Sequence, residues 1–170
     1  MGNTKIIVAL GYKAQAGKDT CAKYLVENYG FTRLAFADGV KTVGREAFNW
    51  NEKKDDRGRK LLQGVGLVAR DYDMDFWINK LENSPKFLES NKVVIPDTRF
   101  QNEVSWVRSR GGYLVKIDGR GGLEGEVGKH ASEVDLDGFE DWDFVVDNSS
   151  LLAALHLQLD SFMKRLSDTL

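Results

Sequence analysis

The sequence predicts an α/β protein built around a sheet with parallel strands, and three observations predict it. Ile6 to Leu25, IIVALGYKAQAGKDTCAKYL, runs from an apolar β-branched stretch through a loop of small residues into an amphipathic segment. Val93-Val94-Ile95 is a short continuous apolar run of the kind found in parallel strands, which are buried on both faces. Along the rest of the chain, strand patterns alternate with helical ones.

Size and charge bound the function. At 170 residues, 42% hydrophobic and 29% charged, the chain has the balance of one soluble globular domain, long enough to bury a core. A net charge of -2 supplies no general attraction to nucleic acid, so an anionic ligand must meet a local site. Cys21 is the single cysteine, which excludes an intramolecular disulfide and a cysteine-based zinc site. No stretch has the apolar length of a membrane span, and the first strand begins too early for a signal peptide. A cytoplasmic location is the expectation, with no membrane and no nucleic-acid partner.

In the first element, the strand ends at Gly11 and a helix opens at Gly17-Lys18-Asp19-Thr20. A helix N-terminus leaves its first N–H groups unpaired, and small residues let backbone amides converge on phosphate oxygens. Ala14, Gln15, Ala16 and Gly17 are expected to form that cradle, with Lys18 reaching the β- and γ-phosphates. The spacing departs from the usual phosphate-loop pattern. Five residues rather than four separate Gly11 from Gly17, so Tyr12 takes the place of the first glycine, and the hydroxyl is displaced from position 19 to Thr20. A carboxylate at Asp19 suits Mg²⁺, directly or through water.

Cys21, Ala22, Leu25 and Val26 continue the first helix to Gly30, and Phe31 to Ala37, FTRLAFA, alternates as a second strand. Asp38 then caps a helix containing Val40, Val43, Ala47 and Phe48. Residues at the carboxyl ends of strands face the ligand crevice, so Phe36, Asp38 and Lys41 are candidates for a substrate wall; Phe36 as core and Asp38 as a mere cap is the alternative. Asn49 to Gly58 reads as a charged connection. From Arg59, Leu61, Leu62, Val65 and Val68 share a helical face that ends at Arg70, with Gly64 and Gly66 permitting a close approach. Asp73 starts a further helix carrying Phe76, Trp77 and Leu81. Two helices inserted between strands suit a module that covers a substrate, and Arg70 is of the type that clamps a phosphate, although isolated arginines are more often surface residues.

Asp97 follows the Val93-Val94-Ile95 strand, where a phosphate-loop protein needs a second acid for its metal, and Arg99 is two residues on. A turn aspartate paired with a turn arginine is the alternative. Asn102 or Glu103 begins a helix that Gly111-Gly112 stops, and Tyr113 to Ile117 is the next strand. The glycine-rich segment DGRGGLEGEVGKH carries Arg120, Lys129 and His130, and reads as a mobile lid or as a surface loop. Past it, Ser132 is a candidate cap, Asp143 to Val146 a last strand and Leu151 to Leu166 a closing amphipathic helix. Asn148 lies at the strand end, either near an adenine or as a turn former. His156, inside the helical pattern, reads as structural.

Taken in order, GKDT at 17–20, LAFAD at 34–38, LLQGVG at 61–66 with Arg70, DFW at 75–77, DTRFQNE at 97–103, HASEVDLD at 130–137 and DFVVDN at 143–148 make the chain resemble the phage deoxynucleoside monophosphate kinases of the P-loop superfamily. The resemblance implies a three-layer P-loop NTPase fold with a five-stranded parallel sheet. It implies a single domain, 1–170, with a helical monophosphate-binding region at 38–84 and a lid at 118–132. It also implies transfer of the ATP γ-phosphoryl group to a deoxynucleoside monophosphate with Mg²⁺. Lys18, Asp97 and Arg99 would then be catalytic, with Asp19 and Asp97 serving the metal. Ala14 to Thr20, Arg120, Lys129 and Asn148 would bind ATP; Phe36, Asp38, Lys41, Arg70 and Arg99 would bind the acceptor. A homodimer is compatible with this. A kinase of another small metabolite, phosphomevalonate- or dephospho-CoA-kinase-like, and a non-catalytic nucleotide-binding module are the competing readings.

Overall fold

The run Ile6–Gly11 forms β1, and Ile7 through Leu10 are shut off from solvent, as a strand covered on both faces requires. The computed structural model describes residues 5–119, 121–122 and 128–169. They fall into two compact units, Met1–Arg33 with Asn91–Leu170, and Leu34–Ser90.

The first unit holds a five-stranded parallel sheet in the order β2-β3-β1-β4-β5. The other strands are β2 (Thr32–Arg33), β3 (Lys92–Thr98), β4 (Tyr113–Asp118) and β5 (Phe144–Asp147). β1 pairs with β3 from Ile6 opposite Lys92 to Ala9 opposite Ile95, then slips so that Gly11 lies opposite Thr98. From β1 the chain leaves through α1 (Lys18–Tyr29) toward β2, and from β3 through α6 (Gln101–Ser109) toward β4, on the other side of the sheet. Adjacent strands whose connections diverge leave a crevice at their carboxyl ends, where α/β sheets bind ligands. The phosphate loop and Asp97 emerge there.

The core of this unit joins Val8 and Leu10 of β1 and Cys21, Ala22 and Leu25 of α1 to Leu155, Leu159, Phe162, Met163 and Leu166 of the last helix, Leu152–Thr169. Those five recur at helical spacing, and burying each large side chain contributes about 1.5–3 kcal/mol. The same helix is tied to α1 by Asp160, whose carboxylate accepts from the Tyr24 and Tyr29 hydroxyls at 2.8 and 2.6 Å. His156 stacks on Tyr24 with ring centroids 4.0 Å apart, the structural role expected of it.

The second unit contains α2 (Ala37–Phe48), α3 (Asp56–Tyr72), α4 (Phe76–Glu82) and α5 (Pro85–Glu89). Trp77 is buried in it, and its indole N–H donates to Gly66 O at 3.1 Å; the close neighbour that Gly66 admits is Arg70, whose Nη1 would lie 3.3 Å from a Cβ there. Gly64 has no described atom within 4 Å of a Cβ position, so the sequence reading of that glycine is not met.

Several expectations need correction. The strand foreseen over 31–37 is only Thr32–Arg33, because Leu34, Ala35 and Phe36 are buried in succession rather than on alternate faces. Helix α2 starts at Ala37, so Asp38 stands in its first turn instead of capping it, and its carboxylate accepts from Ala35 N at 3.1 Å. Helix α3 begins within the charged connection, capped by Asp55, and runs past Arg70 to Tyr72. Asp73 closes α3; the next helix opens after Asp75. Val68 is exposed, while Gly58 and Gly66 are buried. Helix α5, with Ser84 as cap and Pro85 in the first turn, carries a local start signal that the sequence reading passed over. Between β4 and β5, the cap of α7 (Ala131–Val134) is His130, whose ring accepts from Ser132 N, and Ser132 itself is inside the helix. The last helix is α8.

Candidate active site: a phosphate loop with a buried lysine

Tyr12 adopts φ +92°, Gln15 +60° and Gly17 +101°. The extra residue ahead of Gly17 is thus absorbed by Tyr12, which itself takes the left-handed backbone that a first glycine would supply. The Lys116 ammonium over its ring, 4.2 Å from the centroid, holds it there. Gly11 is reserved for another contact: a Cβ on it would lie 2.6 Å from the Trp142 ring.

Gly17 is the N-cap of α1 and provides no side chain to cap it, which leaves the first-turn amides for a ligand. A Cβ at Gly17 would meet Asn148 Nδ2 at 2.4 Å. That same nitrogen donates to Ala16 O at 2.8 Å, so Asn148 braces the loop from the end of β5. From the segment expected to form the lid, Gly122 N donates to Ala14 O at 2.7 Å. Gly121, at φ +91°, lies so close that a Cβ would be 2.2 Å from the same oxygen. Arg120 and residues 123–127 of that segment lie outside the described residues.

Lys18 is 6% exposed, and its ammonium donates to Tyr12 O at 3.0 Å and to Lys13 O. Among the described residues it makes no ion pair. Burial first, and then the Arg99 charge, pull its pKa down to about 8, while Glu133, Asp97 and Asp19 oppose the fall. Asp97 and Asp19 therefore stand within electrostatic reach of the ammonium. Asp19 is exposed in the first turn of α1, with Arg33 Nη2 3.8 Å away, and Thr20 is exposed beside it. Next to Asp97, Thr98 Oγ1 is buried with no hydrogen-bond partner among the described residues. Asp19 and Asp97 are the carboxylates that could hold a Mg²⁺ ion here, whose remaining ligands would be waters and ligand oxygens. No group of three or more His, Cys, Asp or Glu forms a protein-only cage among the described residues.

Arg99 is oriented by two glutamates. Its backbone N–H donates to Glu103 at 2.8 Å, and its guanidinium pairs with Glu133, which also accepts from Ala14 N at 3.1 Å. Glu133 was not among the residues singled out in the sequence. It lay inside the HASEVDLD stretch, but nothing local marks it as a partner of Ala14. A small open cleft adjoins this group, bounded by Tyr12, Arg99, Ser132, Glu133, Leu136 and Asp137. Lys129 is exposed one residue before the α7 cap.

The first unit thus brings together Ala14 to Thr20, Asp97, Arg99 and Asn148. Of the other candidates, Lys129 belongs to the same unit, and Phe36, Asp38, Lys41 and Arg70 belong to the second. There Phe36 is buried, Lys41 Nζ lies 3.6 Å from the Asp38 carboxylate, and the Arg70 guanidinium donates to Gly66 O at 3.3 Å.

No protein-family model matches the chain. Two viral proteins are similar over most of its length. One, from Acanthamoeba polyphaga mimivirus, carries the name "Putative deoxynucleotide monophosphate kinase"; it is 31% identical over 193 residues, spanning 92% of this chain and 95% of its own. The other, the uncharacterized protein ORF77 of Ictalurid herpesvirus 1 (strain Auburn), is 27% identical over 165 residues, spanning 92% of this chain and 69% of its own. Among solved structures, dephospho-CoA kinase from Campylobacter jejuni matches with a TM-score of 0.58 at 14% identity over 98% of both chains. Shikimate kinase from Aquifex aeolicus vf5 matches with 0.50 at 16% identity, over 96% of this chain and 97% of its own. These two likenesses show the fold, the α/β fold of the P-loop kinases.

Proposed function

This chain belongs to the family of the mimivirus protein, and we propose that it is a kinase transferring the ATP γ-phosphoryl group to a deoxynucleoside monophosphate, with ADP and a deoxynucleoside diphosphate as products. The observation that carries the reading is Lys18, a buried ammonium whose hydrogen bonds among the described residues go to carbonyl oxygens, at the foot of an uncapped helix N-terminus. A cation so placed makes no ion pair among the described residues, and a nucleotide phosphate would supply an anion in direct contact with it. The name of the mimivirus relative supports the acceptor class, and the ordered motifs shared with phage deoxynucleoside monophosphate kinases support it further.

In this reading the amides of Gln15, Ala16 and Gly17 cradle the β-phosphate while that of Ala14 stays with Glu133, and Lys18 bridges toward the γ-phosphate. Thr20 supports a phosphate oxygen, and Asp19 and Asp97 would hold a Mg²⁺ ion, which would supply neutralisation of phosphate charge. Arg99 faces the charge that spreads over the moving group. The acceptor phosphate is ionised at neutral pH, so no strong general base is called for. Phe36, Asp38, Lys41 and Arg70 serve the acceptor, while Arg120, Lys129 and Asn148 serve ATP, as the resemblance implies. The region 38–84 is the acceptor module and 118–132 the lid. A cytoplasmic location, that of the host if the chain is viral, goes with this reading.

The dephospho-CoA kinase likeness in fold keeps one competitor in view, a kinase of another metabolite. ADP formation from Mg-ATP decides between them when measured with dAMP, dGMP, dCMP, dTMP, their ribo counterparts, dephospho-CoA and no acceptor. Turnover dependent on one or more deoxynucleotides is expected. Turnover with dephospho-CoA alone, or equal turnover without acceptor, would overturn the proposal.

A further inference from the structure

Residues 130 to 137 are fastened to the phosphate loop and to the turn after β3 at several points. Lys13 Nζ donates to Glu133 O at 2.7 Å and pairs with the Asp137 carboxylate. Gln101 donates through its backbone N to Asp135 Oδ2 at 2.8 Å and through its side chain to Asp135 O at 3.0 Å. Leu136 is buried beneath. Held by this frame, the Glu133 side chain is 4% exposed and spends both carboxylate oxygens, Oε2 on the Ala14 amide and Oε1 on the Arg99 guanidinium.

We infer that Glu133 is a positioning residue for phosphoryl transfer, its carboxylate locking Arg99 to the wall of the phosphate loop. This rests on the kinase reading above. An ionised acceptor shared by a backbone amide and a guanidinium makes two charge-assisted hydrogen bonds, which are short and strongly oriented. The Arg99 backbone is already set by Glu103, so Glu133 removes the freedom left in the side chain. A different role is conceivable for a carboxylate at a phosphate loop: an internal anion that substrate phosphates must displace. The anchoring argues against it. Withdrawal of Glu133 would leave Ala14 N–H and Arg99 without their partner, and the segment that carries the glutamate is tied down on both sides of it. The two roles predict opposite effects when the charge is removed.

The test compares the full-length parent with Glu133→Gln, Arg99→Ala and the double variant. Steady-state kinetics with Mg-ATP and the best deoxynucleotide is combined with thermal melting of each protein. Glu133→Gln is expected to lower kcat about 100-fold, the scale of a misaligned transferring group, with KM for both substrates within about threefold. In the Arg99→Ala background the same change should cost less than about threefold, because its target is gone. Should Glu133→Gln fail to fold, Glu133→Asp, which keeps the charge at a shorter reach, carries the same cycle. A parent that transfers to no deoxynucleotide defeats the kinase reading and the inference with it. With an active parent, turnover in Glu133→Gln at or above the parental rate indicates a displaceable anion and overturns the inference alone. Losses that multiply in the double variant assign Glu133 a structural role only and overturn it as well.

Discussion

Lys18 donates to the carbonyl oxygens of Tyr12 and Lys13, partners that stabilise a cation less than phosphate oxygens do. Its Lys18→Ala variant is expected to lose at least about 10³-fold in kcat/KM while melting at or above the parental temperature, since the buried charge is a burden on the fold. Activity assays and a thermal melt check the two halves separately. The pH dependence follows from the same side chain. With a folded-state pKa of about 8 against an ordinary 10.5, the unfolded chain binds the extra proton between those values, so the contribution of Lys18 to stability rises with pH across that window. Activity moves the other way. A pH–rate profile should show kcat/KM for Mg-ATP falling with an alkaline limb near 8, and the limb in kcat displaced upward because bound phosphates retain the proton. Coincident limbs would mean that the ammonium does not meet the phosphates.

At the scale of the element, the phosphate loop holds two non-glycine residues, Tyr12 and Gln15, at positive φ, an arrangement costing on the order of 1 kcal/mol apiece. Gly17 is under two constraints at once, its φ of +101° and the Asn148 amide that a Cβ would strike. Gly17→Ala is therefore expected to destabilise the protein by about 1–3 kcal/mol and to weaken ADP binding at least tenfold. Denaturant unfolding and calorimetric titration measure these, and parental values in both would contradict the loop geometry. The strand, loop and helix here were legible because the chemistry is local: an apolar run, small residues, then a lysine at a helix start. The positions of Asp97 and Arg99 were legible for the same reason, at the end of a continuous apolar strand. Glu133 was not, because its partners Ala14 and Arg99 lie 119 and 34 residues away, and pairing at such distances leaves no periodic trace. Short elements failed differently. Strand β2 is two residues long, and α5 only five, too little for a period to assert itself.

The whole molecule reads most clearly where long amphipathic or apolar elements build the sheet unit, and least clearly in the charged stretch before α3, whose Asp55 cap looks like any other loop aspartate. Cys21 reports on that sheet unit. It is wholly buried in the core, and burial pushes its thiol up to about 12, so it stays protonated and unreactive at neutral pH. Labelling by a thiol reagent should proceed only as fast as the unit unfolds, with a rate that follows denaturant in step with the loss of helical signal. Rapid labelling of the native protein would contradict the packing of α1 on the sheet. The central claim, phosphoryl transfer to a deoxynucleotide, is tested most directly by following label from [γ-³²P]ATP. The account predicts that label passes to the β-position of a deoxynucleoside diphosphate, and that Lys18→Ala abolishes the transfer. Label released as inorganic phosphate at the same rate with and without a deoxynucleotide would contradict it.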